Sequence, residues 1–203
     1  MRFWVENIRF SVLPTLMQRF FNDFDALNRF TLSLDSLGEK LQCPHCSKSN
    51  QLVSHGLIYK QHSIHKRETV GKRVFCSNRH NRSGCGQTVQ LYLKDVIPSL
   101  QYGTAQVFVF LSLLLKNLSV KAAYQSATGQ IDSRNAWRWI RKLTRNLTDY
   151  RCALNLPFHS LTFNFNHRFQ RLRLLLSTLK KLFSQLPNCP CSYYQLTHQH
   201  AFI

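Results

Sequence analysis

Leu13, Leu16, Met17, Phe20, Phe24 and Leu27 recur at three- and four-residue intervals, the period of one helix face, and Pro14 suits a first helical turn. The pattern predicts an amphipathic helix over roughly 13–30, with the rings of Phe10, Phe20, Phe21, Phe24 and Phe30 serving core or subunit contact. From Gln42 to about Asp95 the texture changes: Cys, Gly, Asn and Ser punctuate short runs such as Gln51 to Tyr59 and Lys72 to Phe75, which suit strands and turns. Three helices are expected next, over Thr104 to Asn117, Ser119 to Thr128 and Asp132 to Leu147, with breaks short enough to make them packed neighbours. After Pro157 a loop leads to Phe169–Leu186, where Leu172, Leu175, Leu179, Leu182 and Leu186 follow heptad spacing. That seam is too short for an isolated coiled coil, so the helix is expected to dock on its own domain or on a second copy, which makes a homodimer one expectation.

The pattern divides the chain into an N-terminal amphipathic helical segment (1–42), a small metal-built β module (43–95), a three-helix region (96–151) and a basic C-terminal helix and tail (152–203). The expected fold class is mainly α with a small β zinc-ribbon module and a helix-turn-helix DNA-binding region.

Charge changes the picture. The 203 residues hold 27 Lys and Arg against 9 Asp and Glu, a formal charge of +18. Residues 1–42 are balanced, with five basic and five acidic side chains, whereas 43–95 carry nine against two and 116–151 eight against two. Residues 152–203 carry five basic side chains and no acidic one. A self-repelling surface of this kind awaits a polyanion, most commonly nucleic acid, with an anionic membrane surface reached through Phe169–Leu186 as the competitor. A hydrophobic share of 44% supports a packed core. The apolar run Val107–Leu115 is far short of the roughly 20 residues of a membrane span and reads as a buried helix. The first residues hold no uninterrupted apolar stretch followed by a cleavage site, so a cytoplasmic protein with reduced thiols or metal ligands is expected, and no membrane partner.

Cys43-Pro44-His45-Cys46 is a CxxC knuckle, and after 29 residues come Cys76 and Cys85, separated by eight, with Gly84 and Gly86 on either side of Cys85. Thiolates suit zinc, and the tight turn of a knuckle brings two sulfurs to one side of the ion. His80 is an alternative partner for Cys76, with Cys85 preferred. Four protein ligands would leave no open position, so one structural Zn2+ on Cys43, Cys46, Cys76 and Cys85 is expected. A second candidate group, Cys189, Cys191, His198 and His200, matches no common ligand spacing, and Cys152 reads as a small buried hydrophobe.

Ser119 to Thr128, Gly129-Gln130-Ile131 and Asp132 to Lys142 have the layout of two helices joined at a glycine turn. Ser119 is expected to cap the first helix, Ala123 to permit close approach, Ile131 to plug the space between helices, and Asp132 or Ser133 to cap the second. Ala136, Ile140, Leu143 and Leu147 would be buried, with Trp139 the core member of the tryptophan pair Trp137 and Trp139. In a helix of this type the N-terminal residues enter the major groove, so Ser133, Arg134, Asn135 and Arg138 are assigned to base edges. Lys121, Arg141, Lys142 and Arg145 are assigned to phosphates.

Taken together, CPHC, VFCSNRHNRSGCGQTV and SVKAAYQSATGQIDSRNAWRWIRKL resemble the zinc-ribbon plus helix-turn-helix N-terminal modules of bacterial insertion-sequence transposases and their small accessory proteins, over roughly residues 43–147. The resemblance implies zinc on the four cysteines, double-stranded DNA on the helix that begins near Asp132, a nucleoid-associated location, and a transposase catalytic subunit as a partner. It carries no catalysis, since full transposases of this type add widely separated metal-holding carboxylates and this chain has no Asp or Glu after Asp149. The expected function is a non-catalytic, zinc-stabilised DNA-binding protein acting on element ends or on an element's transcription. The alternatives are an RNA-binding basic zinc-ribbon protein and a truncated transposase enzyme.

Overall fold

The computed structural model describes residues 19–37, 41–63, 66–98, 100–156, 168–186 and 189–203. Among them the chain forms seven helices and one four-stranded sheet. The part of the expected 13–30 helix that precedes residue 19 lies outside these residues.

The sheet is built from β1 (Phe20–Phe21), β2 (Leu52–Ser63), β3 (Lys66–Cys76) and β4 (Thr88–Leu93), in the order β1-β4-β3-β2. β2, β3 and β4 form an antiparallel meander, and β1 adds to β4 in parallel, Phe20 opposite Tyr92. Phe20 and Phe21 were expected on a helix and are strand residues instead. The helix starts only at Phe24 (α1, Phe24–Leu32), where Asp23 caps it by accepting the Ala26 N–H at 2.7 Å. α1 covers one sheet face: Leu27 is fully buried, and Lys72 of β3 donates to the Thr31 hydroxyl at 2.9 Å. In β4 the alternation of exposed Thr88 and Gln90 with buried Val89 and Leu91 is the period-two signature of a half-covered sheet. Phe21, Leu27, Leu34, Leu41, Cys43, Leu52, Val74, Cys76, Val89 and Leu91 form one core.

A second, larger core is helical. It gathers α2 (Thr104–Leu115), α3 (Val120–Thr128), α4 (Arg134–Arg145), α5 (Leu147–Ala153), α6 (Arg168–Gln185) and α7 (Pro190–His198). At its centre the rings of Tyr102, Phe110, Tyr124 and Trp139 meet edge to face, with Tyr124 and Trp139 only 5.2 Å apart. Leu175, Leu179 and Leu182 of the heptad seam are buried here, so α6 docks on its own chain. Val107, Phe110, Leu111 and Leu114 confirm the apolar run of α2 as a buried helix. No helix among the described residues is long and apolar enough to cross a membrane.

α7 was expected as tail and is a structural strut. Gln195, with no exposed surface, donates to the carbonyls of Lys94 at 2.7 Å and Val96 at 3.0 Å, and accepts the Phe202 N–H at 3.0 Å. Gln199 accepts the N–H groups of Arg19 and Phe20 and returns a bond to the Phe20 carbonyl. These two amides stitch the helical core to β1 and to the segment that leaves β4. Cys152, expected as a buried residue, is exposed, because α5 turns that position away from the core occupied by Leu147 and Tyr150.

Gln195→Leu is expected to strand two buried carbonyls and one N–H, and so to destabilise the chain by about 1–3 kcal/mol for each group left unpaired. Urea unfolding followed by circular dichroism checks this; an unchanged midpoint would remove Gln195 from the load path between the cores.

Candidate metal centre and basic helix face

Three separate pieces of backbone bring the four cysteines together. The first is the knuckle, closed by the Cys43 N–H to the Lys48 carbonyl (3.0 Å) and the Ser47 N–H to the Cys43 carbonyl (2.8 Å), with Ser47 in the left-handed region. The second is the end of β3, which carries Cys76. The third is the loop that returns to β4, where Gly84 N–H reaches the Ser77 carbonyl (2.8 Å) and Gly86 N–H the Cys76 carbonyl (2.9 Å). Both glycines are dictated by space or backbone: a Cβ on Gly84 would lie 2.8 Å from the Cys76 sulfur, and Gly86 sits at φ +73°.

The ligand atoms of Cys43, Cys46, Cys76 and Cys85 all lie within 4.8 Å of one another. Cys43 Sγ and Cys85 Sγ are 3.8 Å apart, as are Cys46 Sγ and Cys76 Sγ. A tetrahedron with zinc–sulfur bonds of about 2.3 Å has sulfur–sulfur edges of about 3.8 Å, so these spacings fit that ion. Backbone N–H groups also point at the sulfurs, His45 at Cys43 Sγ (3.4 Å) and Cys85 at Cys76 Sγ (3.3 Å), as suits thiolate acceptors. Burial pushes the Cys43 thiol up and the Cys76 thiol up to about 12, whereas the Lys48 N–H draws Cys46 down to about 7. A bound cation reverses the cost of ionising the buried pair, since a coordinating thiol is deprotonated outright. The cluster can hold a metal ion, and its donor set and spacing are compatible with zinc.

His80 is not part of it. That residue is exposed at φ 52° on the Cys76–Cys85 loop, so the longer spacing closes through Cys85. The second candidate group does not assemble. The four-cysteine cluster is the one such group among the described residues; Cys191 is buried in the helical core and His198 lies against the Tyr194 ring at 4.5 Å.

α3 and α4 meet across a left-handed Gly129 (φ 71°) whose N–H bonds to the Gln125 carbonyl, and Ser119 caps α3 by accepting the Ala122 N–H at 3.2 Å. Thr128 holds the turn by accepting the Gln130 N–H. Ile131 does not plug the space between the helices: it is 75% exposed at the tip of the turn, and the rings of Tyr124 and Trp139 fill the space it was assigned. Asp132, rather than Ser133, satisfies the start of α4, its Oδ1 accepting the Arg134 N–H at 3.0 Å.

α4 is sharply two-sided. Ala136, Trp139, Ile140 and Leu143 are buried, with Leu147 continuing the stripe into α5 and Trp137 half-buried against the same core. Arg134, Asn135, Arg138, Arg141 and Arg145 are exposed, as is Lys121 on α3, while Ser133 and Lys142 are half-buried. The eight positions thus occupy the solvent side of one helix pair.

No protein-family model, curated protein or solved structure matches this chain.

Purified chain is expected to carry one zinc per molecule by elemental analysis, and Cys85→Ser to lose it with the sheet signal in circular dichroism. His80→Ala is expected to keep both. Zinc retained by the Cys85 variant, or lost from the His80 variant, would overturn the ligand set.

Proposed function

We propose that this chain is a non-catalytic DNA-binding protein whose zinc-ribbon-like sheet is stabilised by one structural Zn2+ and whose α3–α4 pair is a helix-turn-helix reader of duplex DNA. The observation that carries the reading is the exposed basic row of α4, backed by a stripe that is almost fully buried. Burial of Ala136, Trp139, Ile140 and Leu143 fixes the rotation of α4 about its axis, so the guanidinium groups face solvent as a set rather than by chance of sequence. A row of cations on one helix suits a groove lined by phosphates, where released counterions supply affinity and base edges supply selectivity.

Within this reading Arg134 and Arg138 address bases from the first turns of α4, while Lys121, Arg141, Lys142 and Arg145 hold phosphates. The likeness to insertion-sequence modules makes element ends and the element's promoter the first sequences to try, and a transposase catalytic subunit the first protein partner.

The test is fluorescence-anisotropy titration of zinc-loaded protein on duplex DNA at several salt concentrations, with duplex RNA as competitor. Duplex DNA is expected to win. Arg141→Ala and Arg145→Ala are each expected to weaken binding on every sequence and to lower the salt slope by about one. Arg138→Ala is expected to cost about 1–3 kcal/mol on the preferred sequence alone. Equal losses for all three on every sequence, or tighter binding of RNA, would sink the assignment.

A further inference from the structure

The front of α4 holds a charge arrangement that the basic row does not account for. Asp132 grips Arg134 twice, from Nε to Oδ2 at 2.7 Å and from Nη2 to Oδ2 at 2.6 Å, while its other oxygen caps the Arg134 N–H. One turn on, the Arg138 Nη1 donates to the Asn135 Oδ1 at 3.3 Å. Asn135 is itself exposed, and its Oδ1 is committed to Arg138.

An arginine has five N–H groups. The pair with Asp132 uses Nε and one hydrogen of Nη2, which leaves the Nη1/Nη2 edge of Arg134 free and held in one orientation, with the side chain 87% exposed. That edge is the two-pronged donor that matches guanine O6 and N7. Arg138 gives one hydrogen to Asn135 and keeps four. Four residues apart on a helix, Arg134 and Arg138 project from the same face about 6 Å apart along the axis, close to two base-pair steps of about 3.4 Å.

We infer that Arg134 and Arg138 are two pre-oriented guanine readers, that Asp132 and Asn135 are the positioning residues that aim them, and that the DNA target carries two guanines one to two base pairs apart. The inference rests on the reading of α4 as the DNA-contacting helix and departs from the assignment of Asn135 to a base edge. Asp132 is placed where a carboxylate opposes phosphate, so removing it has two consequences of opposite sign. General affinity for DNA rises, because a repulsive charge is gone. Selectivity at the Arg134 guanine falls, because the guanidinium is no longer aimed. A residue that only caps the helix would leave the preference at the Arg134 guanine unchanged, so the loss of that preference is what marks the aiming role.

The test selects a motif from a random duplex pool with the zinc-loaded full chain, then measures wild type, Asp132→Ala, Asp132→Asn and Asn135→Ala on that motif and on its single-base variants. Asp132→Asn keeps an acceptor for the cap and loses the charge pair, which separates folding from aiming. The expected result is a motif with two guanines at the stated spacing. Both Asp132 variants should then lose preference at one guanine by a factor of roughly 5 to 150 while binding unrelated duplex more tightly, and Asn135→Ala should lose preference at the other guanine. A motif without paired guanines overturns the inference, as does a loss at an adenine in Asn135→Ala or a uniform loss in the Asp132 variants, while leaving α4 as the DNA contact. No enriched motif at all, or a motif indifferent to Arg134→Ala and Arg138→Ala, overturns that reading and this one together.

Discussion

Four sulfurs drawn from three stretches of backbone and crowded within 4.8 Å are the constraint on which the sheet half of the molecule depends. Cys43 and Cys76 are not appended to that core but belong to it, buried beside Leu27, Leu52, Val74 and Leu91. A core of ten such residues is small, and cross-linking of the kind a metal provides is what small cores commonly need. Beyond the backbone bonds around these thiols, the knuckle and the loop into β4 are tied by exposed side-chain bonds, Lys48 to the Ser83 carbonyl at 2.6 Å and Arg82 to the Asn50 carbonyl at 3.1 Å. The long β2–β3 hairpin, with three irregularities in its register, makes an anchor at its base more important still.

The helical half is organised differently. Its interior is a set of large rings meeting edge to face, and it contains the whole buried stripe of α4. A ring cluster of this kind tolerates little rotation, since Trp139 of α4 is packed against the three rings of Tyr102, Phe110 and Tyr124, and so the orientation of the basic side of α4 follows from the packing of its apolar side. The two halves are joined by polar contacts, two side-chain amides and the Lys60 ammonium of β2, which donates to the Ile97 carbonyl at 2.9 Å. Gln195 and Gln199 bind backbone groups at the edge of the sheet, an interaction with strict geometry and modest strength.

Much of this was legible in the chain. CxxC, the glycines flanking Cys85, the Ser119 cap, the Gly129 turn and the apolar period of α4 each express a local rule, and each appears in the structure where that rule put it. What escaped is non-local. Phe20, Phe24 and Leu27 have helical spacing, yet Phe20 pairs with a strand more than seventy residues later, and pairing outweighs a period that a few residues happen to satisfy. Ile131 was given a packing role from hydrophobicity alone, but the volume between α3 and α4 was already taken by Tyr124 and Trp139. α7 carries a local signal, Pro190 at its first turn, but the Cys and His of the same stretch give it equally the look of a ligand-bearing tail.

Carboxylates are so scarce here that the place of each one is informative. Asp23 caps α1 and Asp35 pairs with Arg82 of the Cys76–Cys85 loop. Among the described residues, only Asp132 stands at the front of α4. A surface shaped solely by attraction to a polyanion would be better without it, because every negative charge near phosphate weakens association. Its cap could be supplied without charge, since Asn and Ser serve that position about as well. The pair it makes with Arg134 is exposed, and an exposed, solvent-screened pair contributes little to stability. Neither stability nor charge explains the residue adequately; under the proposed reading of α4, orientation of the arginine does, since a guanidinium with a fixed edge loses less freedom on meeting a base than one that must be stilled first.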